Sequence, residues 1–532
     1  MSSNSPPHPG GAPGPRSVEY RTAVVGAGLV GIEVANRLAA AGDGPTLVIE
    51  AGQGEELRHA NIVHAPETAT RMWLEPQNDS AFIRPWSTLN PPHYAGASGV
   101  RQRLGGRSLY WYGVVLPIED WALDDPHWPA AVVSDLRVSW CDGPSLYERT
   151  TDRLRRWAER DEVDSAPVEL PSDARLGPFA LRATPLARRT YPHGRWRAYS
   201  PLDEWRDPTS GRWHGAPEGV ELLTGTRVLG VLLRDGRCRG VRVRSEGGAQ
   251  AEIVADRVIL CAGTMENSRL ALQALTASGR TTTRLPGLRD HMVQGLLWRW
   301  EGEAARRLLR ALPSGSYYEP HGPPVRSNLL VDVHAPEPNG AVLVEVRAMG
   351  EQHDQGTSFV EGEPRGDQPW SLRVHSEPSA ADEEVLAHQR ELLRRCHREL
   401  CTVAGVAPHP LRFADYGHPD PGNRVLLPEF RQGTAPGEPI TWSNQLGTED
   451  HEGGTLPIGG LLDEEQGFRD IPALYAAGPA TFPRPGAANP SLTTFALAHR
   501  LAHHLAGRPS PGSRTGPGHD GVNRAVQKEA QP

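Results

Sequence analysis

Val24-Val25-Gly26-Ala27-Gly28-Leu29-Val30-Gly31-Ile32 decides the fold. An apolar run, Arg21 to Val25, leads into the three glycines. Ile32 to Ala41 follows with Val34, Ala35, Leu38 and Ala41 spaced for one helix face. Gly42 and the pair Gly44-Pro45 end that helix. Thr46 to Ile49 is a second apolar run, closed by Glu50. Strand, glycine turn, helix, strand and terminal acid together form a βαβ dinucleotide-binding unit. The glycines permit a tight turn, close approach of a pyrophosphate and close helix packing. The helix N-terminus faces the phosphates, and Glu50 is placed to bind a ribose hydroxyl pair. This unit alone leaves NAD, NADP and FAD open.

Working outward, Val220 to Leu223 and Val228 to Leu233 read as strands. Arg234-Asp235-Gly236 turns the chain into Arg239 to Val243, and Arg257 to Cys261 is a buried strand. Ala262-Gly263 opens a helix through Leu270. From Asn328 the pattern changes: Asn328 to Val333, Ala341 to Arg347 and Trp370 to His375 read as antiparallel strands without intervening helices. A long helix, Ala381 to Ala404, follows and is stopped by Gly405. The chain then returns to α/β character, with a strand at Ala473 to Ala477 and a helix at Ser491 to Leu505. That helix is entered by Asn489-Pro490 and ended by Gly507. The fold class expected is α/β: a discontinuous Rossmann-type domain with an α+β substrate domain built on an antiparallel sheet. The first draws on 18–60, 100–120, 215–295 and 440–506, the second on 61–99, 121–214 and 296–439. Residues 1–17 and 508–532 are Gly/Pro-rich tails.

Composition narrows the classes. A chain of 532 residues suggests about two or three domains and buries a large core without staples. The net charge of -8 and dispersed arginines, with Lys528 the only lysine, argue against nucleic-acid binding. The five cysteines fit neither a disulfide framework nor a zinc site, so they read as reduced thiols packed as small hydrophobes. No signal peptide and no membrane span are expected, which points to the cytoplasm. No metal site is expected.

Further segments carry chemistry. Leu104-Gly105-Gly106-Arg107-Ser108-Leu109-Tyr110-Trp111 puts a Gly pair ahead of a polar-aromatic run. Cys261 to Leu270 makes a second strand-to-helix turn beside the cofactor. His451 lies in His451-Glu452-Gly453-Gly454-Thr455, and Asn489 in Gly486-Ala487-Ala488-Asn489-Pro490. Taken in order, these segments resemble the glucose–methanol–choline (GMC) oxidoreductase family. Ile49 to Gly52, the Gly-Gly loop, the segment Cys261 to Leu270 with its Ala-Gly opening and Ser268-Arg269-Leu270 close, Asp290-His291, His451 to Gly459 and Leu474 to Leu497 are each similar to a family motif.

The resemblance implies FAD as cofactor and oxidation of an alcohol. It places FAD against Gly26, Gly28, Leu29, Val30, Gly31, Glu50 and Ala51 of the opening unit. From the Gly-Gly loop it adds Arg103, Gly105, Gly106, Ser108, Leu109, Tyr110 and Trp111. Val228, Cys261, Ala262 and Gly263 follow, then Gly478, Pro479, Asn489, Pro490 and Thr493. The catalytic positions read as His451 and Asn489. Histidine is suited to taking a hydroxyl proton near neutral pH. Asn489 can hold the substrate oxygen, or serve only as a helix cap, and His291 reads as structural. Where some members attach FAD through a histidine, this chain has Tyr110, so non-covalent FAD is expected. The loop also lacks the Ser-Ser-x-x-Asn of many members. Tyr110, Trp111, His353, Asp354, Gln445 and His451 are the candidate substrate contacts. Glu449 and Asp450 beside the base could raise its pKa or bind a cation, which favours a sugar, amino sugar or aminoalcohol. Oxygen or another electron acceptor takes the electrons. A flavin-binding lyase on the same scaffold is the alternative, and no nucleic-acid or membrane partner is expected.

Overall fold

The computed structural model describes residues 20–124, 126–353, 356–366, 368–418, 424, 425, 427 and 438–507. The opening unit forms as the glycine pattern requires. Strand Tyr20–Val25 lies parallel between strand Thr46–Ile49 and the long strand Gln250–Leu260, and Val220–Leu223 extends the sheet beyond Thr46–Ile49. Leu474–Ala476, from the far end of the chain, pairs parallel with Gln250–Leu260. The hairpin Thr226–Arg234 and Arg237–Ser245 continues the sheet antiparallel. Alternation along the parallel strands explains their continuous apolar sequence, because both faces are buried. Val24, Val48 and Ile259 pack with helix Leu29–Ala40 and the last helix, Ser491–Leu505. Ala23, Val25, Leu47, Val258 and Leu260 face the other way, onto helix Gly263–Ala277.

The second unit is an antiparallel sheet in the order Ile440–Ser443, His291–Trp300, Val342–Glu351, Ser327–Val333, Gly315–His321, Phe179–Ala183, Ala174–Leu176. Helix Ala380–Ala404 lies on it. Leu392, Leu393, Cys396 and Leu400 pack against Leu296, Trp298, Val344 and Val346. Each fully buried leucine there contributes about 1.5–3 kcal/mol. Ser379 and Asp382 cap the helix reciprocally, and Gly405, at φ 73°, ends it.

Three expectations change. Gln368–His375 is a strand but belongs to a separate small sheet with Phe359–Arg365 and Trp86–Thr88, because Leu372 and Val374 pack into the core of the cofactor domain. Ile440–Ser443, expected in the cofactor domain, forms an edge of the antiparallel sheet. Strand His291–Trp300 starts within the range given to the cofactor domain, so one continuous strand runs from the site into the second unit. Asp354 and both tails lie outside the described residues.

Candidate active site

The cofactor end is built on backbone. Gly26 takes φ 102°, and a Cβ there would meet Cys261 O at 2.8 Å; a Cβ on Gly31 would meet Gly26 O at 1.9 Å. Both positions therefore exclude any side chain. Gly28 is different, because nothing lies within 4 Å of its would-be Cβ. It is the N-cap of helix Leu29–Ala40, which has no side-chain cap. An open cradle at an uncapped helix N-terminus suits a pyrophosphate. Gly263 likewise faces open space at φ 82°, while Gly106 packs on Gly28. The Glu50 carboxylate accepts from the amides of Ala27 at 2.9 Å and Gly52 at 2.8 Å, which fixes it at the strand end. Burial pushes its carboxyl above the ordinary range, and those amides oppose the shift. Among the residues present, this cradle fits FAD.

Helix Gly263–Ala277 ties that end to the chemistry. Asn267 bonds Ala262 N, Leu260 O and Ala477 O, joining two strand ends to the turn. Thr264 Oγ1 donates to Glu452 O at 2.6 Å, and Ser268 Oγ donates to Thr455 Oγ1 at 2.8 Å. Arg269 holds the carbonyls of Val228 and Leu229. The Ser and Arg of this segment thus position the segment carrying His451 and the neighbouring hairpin.

His451 and Asn489 meet: Asn489 Nδ2 is 3.2 Å from His451 Nε2. His451 Nδ1 is 2.8 Å from His291 Nδ1, and His291 Nε2 is 3.0 Å from Gly486 O. With Asn489 donating, the protons settle one way. His451 carries its proton on Nδ1 and gives it to His291 Nδ1, while His291 carries its own on Nε2 and gives it to the carbonyl. His451 Nε2 is left as an acceptor. Asn489 is not the helix cap: Pro490 is the N-cap residue of Ser491–Leu505, with no side-chain cap, and Asn489 Oδ1 is buried without a partner. His291, expected to be structural, touches the base directly. Asp290 fixes this corner by accepting from His291 N at 2.8 Å and Gly447 N at 2.6 Å. Glu119 and Glu351 hold the loop bearing Asn489 through the amides of Ala487 and Gly486.

The acids beside the base do not raise its pKa. Arg107 pairs with both flanking residues, Asp450 at 3.0 Å and Glu452 at 2.7 Å. Burial, with His291, Arg107 and Arg347 nearby, holds His451 well below the ordinary histidine value, and burial pushes His291 down to about 4. Glu449 bonds Asn444, and burial pushes it up to about 7. The motive for a cationic substrate is thereby removed. The sign for catalysis follows: His451 is neutral, hence able to accept a proton, from well below pH 6.5 upward. The acid limb of kcat/KM is expected below pH 6.5. In Arg107→Gln, the loss of a cation beside the base while both acids stay should move it upward. A pH profile of the two proteins at fixed ionic strength checks this, and a limb that stays or falls would contradict it.

The remaining candidates divide. Leu109 is fully buried, Val228 is almost so, and Ser108 Oγ bonds Gly105 O and Ser200, so their side chains serve packing. Thr493 Oγ1 pairs with Tyr147 at 2.9 Å. Tyr110 is bound through its hydroxyl to Arg103, and its ring lies beneath Arg101. Trp111 donates to Tyr199 O and packs edge-on to Phe495 of the last helix. His353 is bound to Asp382 and Arg326 at the start of the long helix. Gln445 Oε1 lies 4.0 Å from the would-be Cβ of Gly96. His499 and His503 on the last helix stand edge-on to Trp140 at 4.7 and 4.8 Å. Sequence reasoning missed Arg107 and Glu119, whose partners lie hundreds of residues away, and Arg347, which pairs with Asp332 and Glu345 on the antiparallel sheet. Among the described residues no group of three or more His, Cys, Asp or Glu could hold a metal ion, and no helix is long and apolar enough to cross a membrane.

Comparisons with known proteins agree with this geometry. The FAD binding domain family model matches residues 149–295. No curated protein matches the chain in sequence. Among solved structures, pyridoxine 4-oxidase from Mesorbium loti is similar with a TM-score of 0.54 and 18% identity, over 91% of this chain and 99% of that one. A formate oxidase is similar with a TM-score of 0.57 and 14% identity, over 92% and 98%. The Aspergillus oryzae formate oxidase, in a form described for the effect of a mutation on FAD modification, gives 0.56 and 14% over the same shares. The cradle, the base segment and this likeness over nine-tenths of the chain together give it the fold of the FAD-binding GMC oxidoreductases.

Proposed function

We propose that the chain is a non-covalent FAD enzyme that oxidises a polar alcohol to an aldehyde or ketone, with His451 as general base. One observation carries the reading: His451 Nε2 lies 3.2 Å from Asn489 Nδ2, in surroundings that hold the ring well below the ordinary histidine pKa and so favour its neutral form. FAD, when bound, supplies a hydride acceptor at flavin N5. His451 Nε2 takes the hydroxyl proton of the substrate, which makes loss of hydride from the same carbon possible. Asn489 Nδ2 donates to the substrate oxygen and steadies the charge gathering there. His291 holds the His451 ring and its tautomer from behind. The uncapped first turn of Ser491–Leu505 points its positive end toward this region. A sugar-type alcohol remains compatible, while amino sugars and aminoalcohols lose their support because Arg107 holds Asp450 and Asn444 holds Glu449. Oxygen or another acceptor completes the cycle.

Two measurements test the reading. Anaerobic mixing with a panel of alcohols is expected to bleach the flavin with at least one of them; a lyase would leave the spectrum unchanged. Acid precipitation is expected to release yellow FAD into the supernatant, since Tyr110 stands where a histidyl link would form and its hydroxyl is held by Arg103. Flavin remaining with the pellet would reject non-covalent binding.

A further inference from the structure

The hydrogen bonds behind His451 run on past His291. His291 Nε2 gives its proton to Gly486 O at 3.0 Å. That carbonyl shares one peptide group with the amide of Ala487, and the amide donates to Glu119 Oε2 at 2.9 Å. The 2.8 Å contact between the Nδ1 atoms of His291 and His451 completes an unbroken chain from the carboxylate to the base. Each member donates toward the carboxylate, so the chain has one direction. It ends on the Nε2 that His451 keeps as an acceptor.

The two acids that hold this loop are not equivalent. Glu351 is spent on Arg484, which meets both of its oxygens at 2.8 Å. Glu119 accepts from neutral donors: the Ala487 amide, and Asn328 Nδ2 at 2.7 Å, which also donates to Ala487 O at 3.0 Å. Gly486, at φ 66°, makes room for the carboxylate, because a Cβ there would lie 2.5 Å from Glu119 Oε2. A carboxylate on an amide N–H polarises the peptide and makes its carbonyl the stronger acceptor. A stronger acceptor at Gly486 O holds the His291 proton on Nε2 and leaves its Nδ1 richer in charge. That in turn holds the His451 proton on Nδ1.

We propose that Glu119 is a positioning residue for the base: acting through the peptide of Gly486 and Ala487 and through His291, it holds His451 in the tautomer that accepts the substrate proton and raises the basicity of Nε2. This rests on the alcohol-oxidation reading and adds a remote determinant of its rate. Three hydrogen bonds separate the charge of Glu119 from the base.

The test compares wild-type holoenzyme with Glu119→Gln, which keeps the shape and removes the charge, with Glu119→Asp, and with His291→Leu with and without Glu119→Gln. Measurement at about pH 8.5 keeps the wild-type carboxyl ionised, since burial pushes it up to about 7. Proton NMR reads the chain without turnover. A buried imidazole N–H bonded to a carbonyl gives a slowly exchanging signal far downfield, and the signal of His291 is the one that vanishes in His291→Leu. In Glu119→Gln it is expected to move upfield, as Gly486 O becomes a weaker acceptor, and in Glu119→Asp to move less. Anaerobic flavin bleaching by a substrate alcohol reads the base. Glu119→Gln is expected to slow it about tenfold, less than loss of the base itself, through kcat with KM little changed. In His291→Leu the chain is already cut, so adding Glu119→Gln should change the rate by less than about twofold. A signal that stays in place in Glu119→Gln, or its absence from the wild type, overturns the proposal. So does a slowing by Glu119→Gln that persists in full in His291→Leu, which would place the effect in the fold or in Asn489. A displaced signal with no bleaching by any alcohol upholds the chain and rejects alcohol oxidation instead. Should Glu119→Gln not fold, a wild-type signal in Glu119→Asp overturns the proposal by itself.

Discussion

Replacing His451 by alanine is expected to slow flavin reduction by a substrate alcohol by about a thousandfold, within the range general-base catalysis usually contributes, while the flavin stays bound. The two effects separate because His451 lies in the proton-handling cluster with Asn489 and His291, and the pyrophosphate cradle is made by Gly26 to Gly31. Neither of its two side-chain neighbours can take its place. Asn489 presents an amide there, and the second nitrogen of His291 is committed to Gly486 O. Anaerobic rapid mixing of the two proteins at equal flavin content measures the ratio. A variant that reduces its flavin within a few-fold of the wild-type rate would remove His451 from the mechanism. His291→Leu is a useful companion. It leaves His451 Nε2 in place but removes the partner of Nδ1, so its loss should be smaller and should include a changed pH profile.

The sequence was most legible where backbone geometry dictates residue type. At Gly26 and Gly31 a side chain collides with the backbone, so only glycine serves and the turn can be read from one chain. The parallel strands were legible because burial on both faces makes them continuously apolar. The meeting of His451 with Asn489 became legible only through the resemblance, since 37 residues between them, from 452 to 488, carry no local signal of contact. The contact of His291 with the base was not legible because it spans 160 positions and depends on where strand His291–Trp300 begins. Arg107 looked like a loop residue, and Glu449 and Asp450 looked like acids free to bind a cation. Asp450 meets Arg107 only when the Gly-Gly loop is laid beside the base segment, and Glu449 is taken by Asn444 where the chain folds back on itself. The strand at Gln368–His375 had the right residues and the wrong sheet, because period-two alternation fixes a buried face but not which neighbour covers it.

Gly28→Val is expected to give a folded protein that retains less than about a tenth of the wild-type flavin, a loss of affinity of tenfold or more, equivalent to at least about 1.4 kcal/mol of binding. The argument rests on the difference between glycines of one turn. Gly28 has φ -86° and ψ -161°, a conformation any residue adopts, and its would-be Cβ has nothing within 4 Å. A valine there strains nothing in the chain and projects into the space a pyrophosphate must fill. Gly31→Ala puts a methyl carbon 1.9 Å from Gly26 O, so the turn itself must open, and destabilisation of about 1–3 kcal/mol or more follows from such overpacking. Comparing the two variants without FAD separates the causes. Thermal unfolding of the apoproteins should place Gly28→Val near wild type and Gly31→Ala well below it. With excess FAD, wild type should rise through ligand linkage while Gly28→Val does not. If Gly28→Val were to purify yellow and show the wild-type rise, the open space above Gly28 would not be the pyrophosphate site, and the cofactor would have to approach the sheet elsewhere.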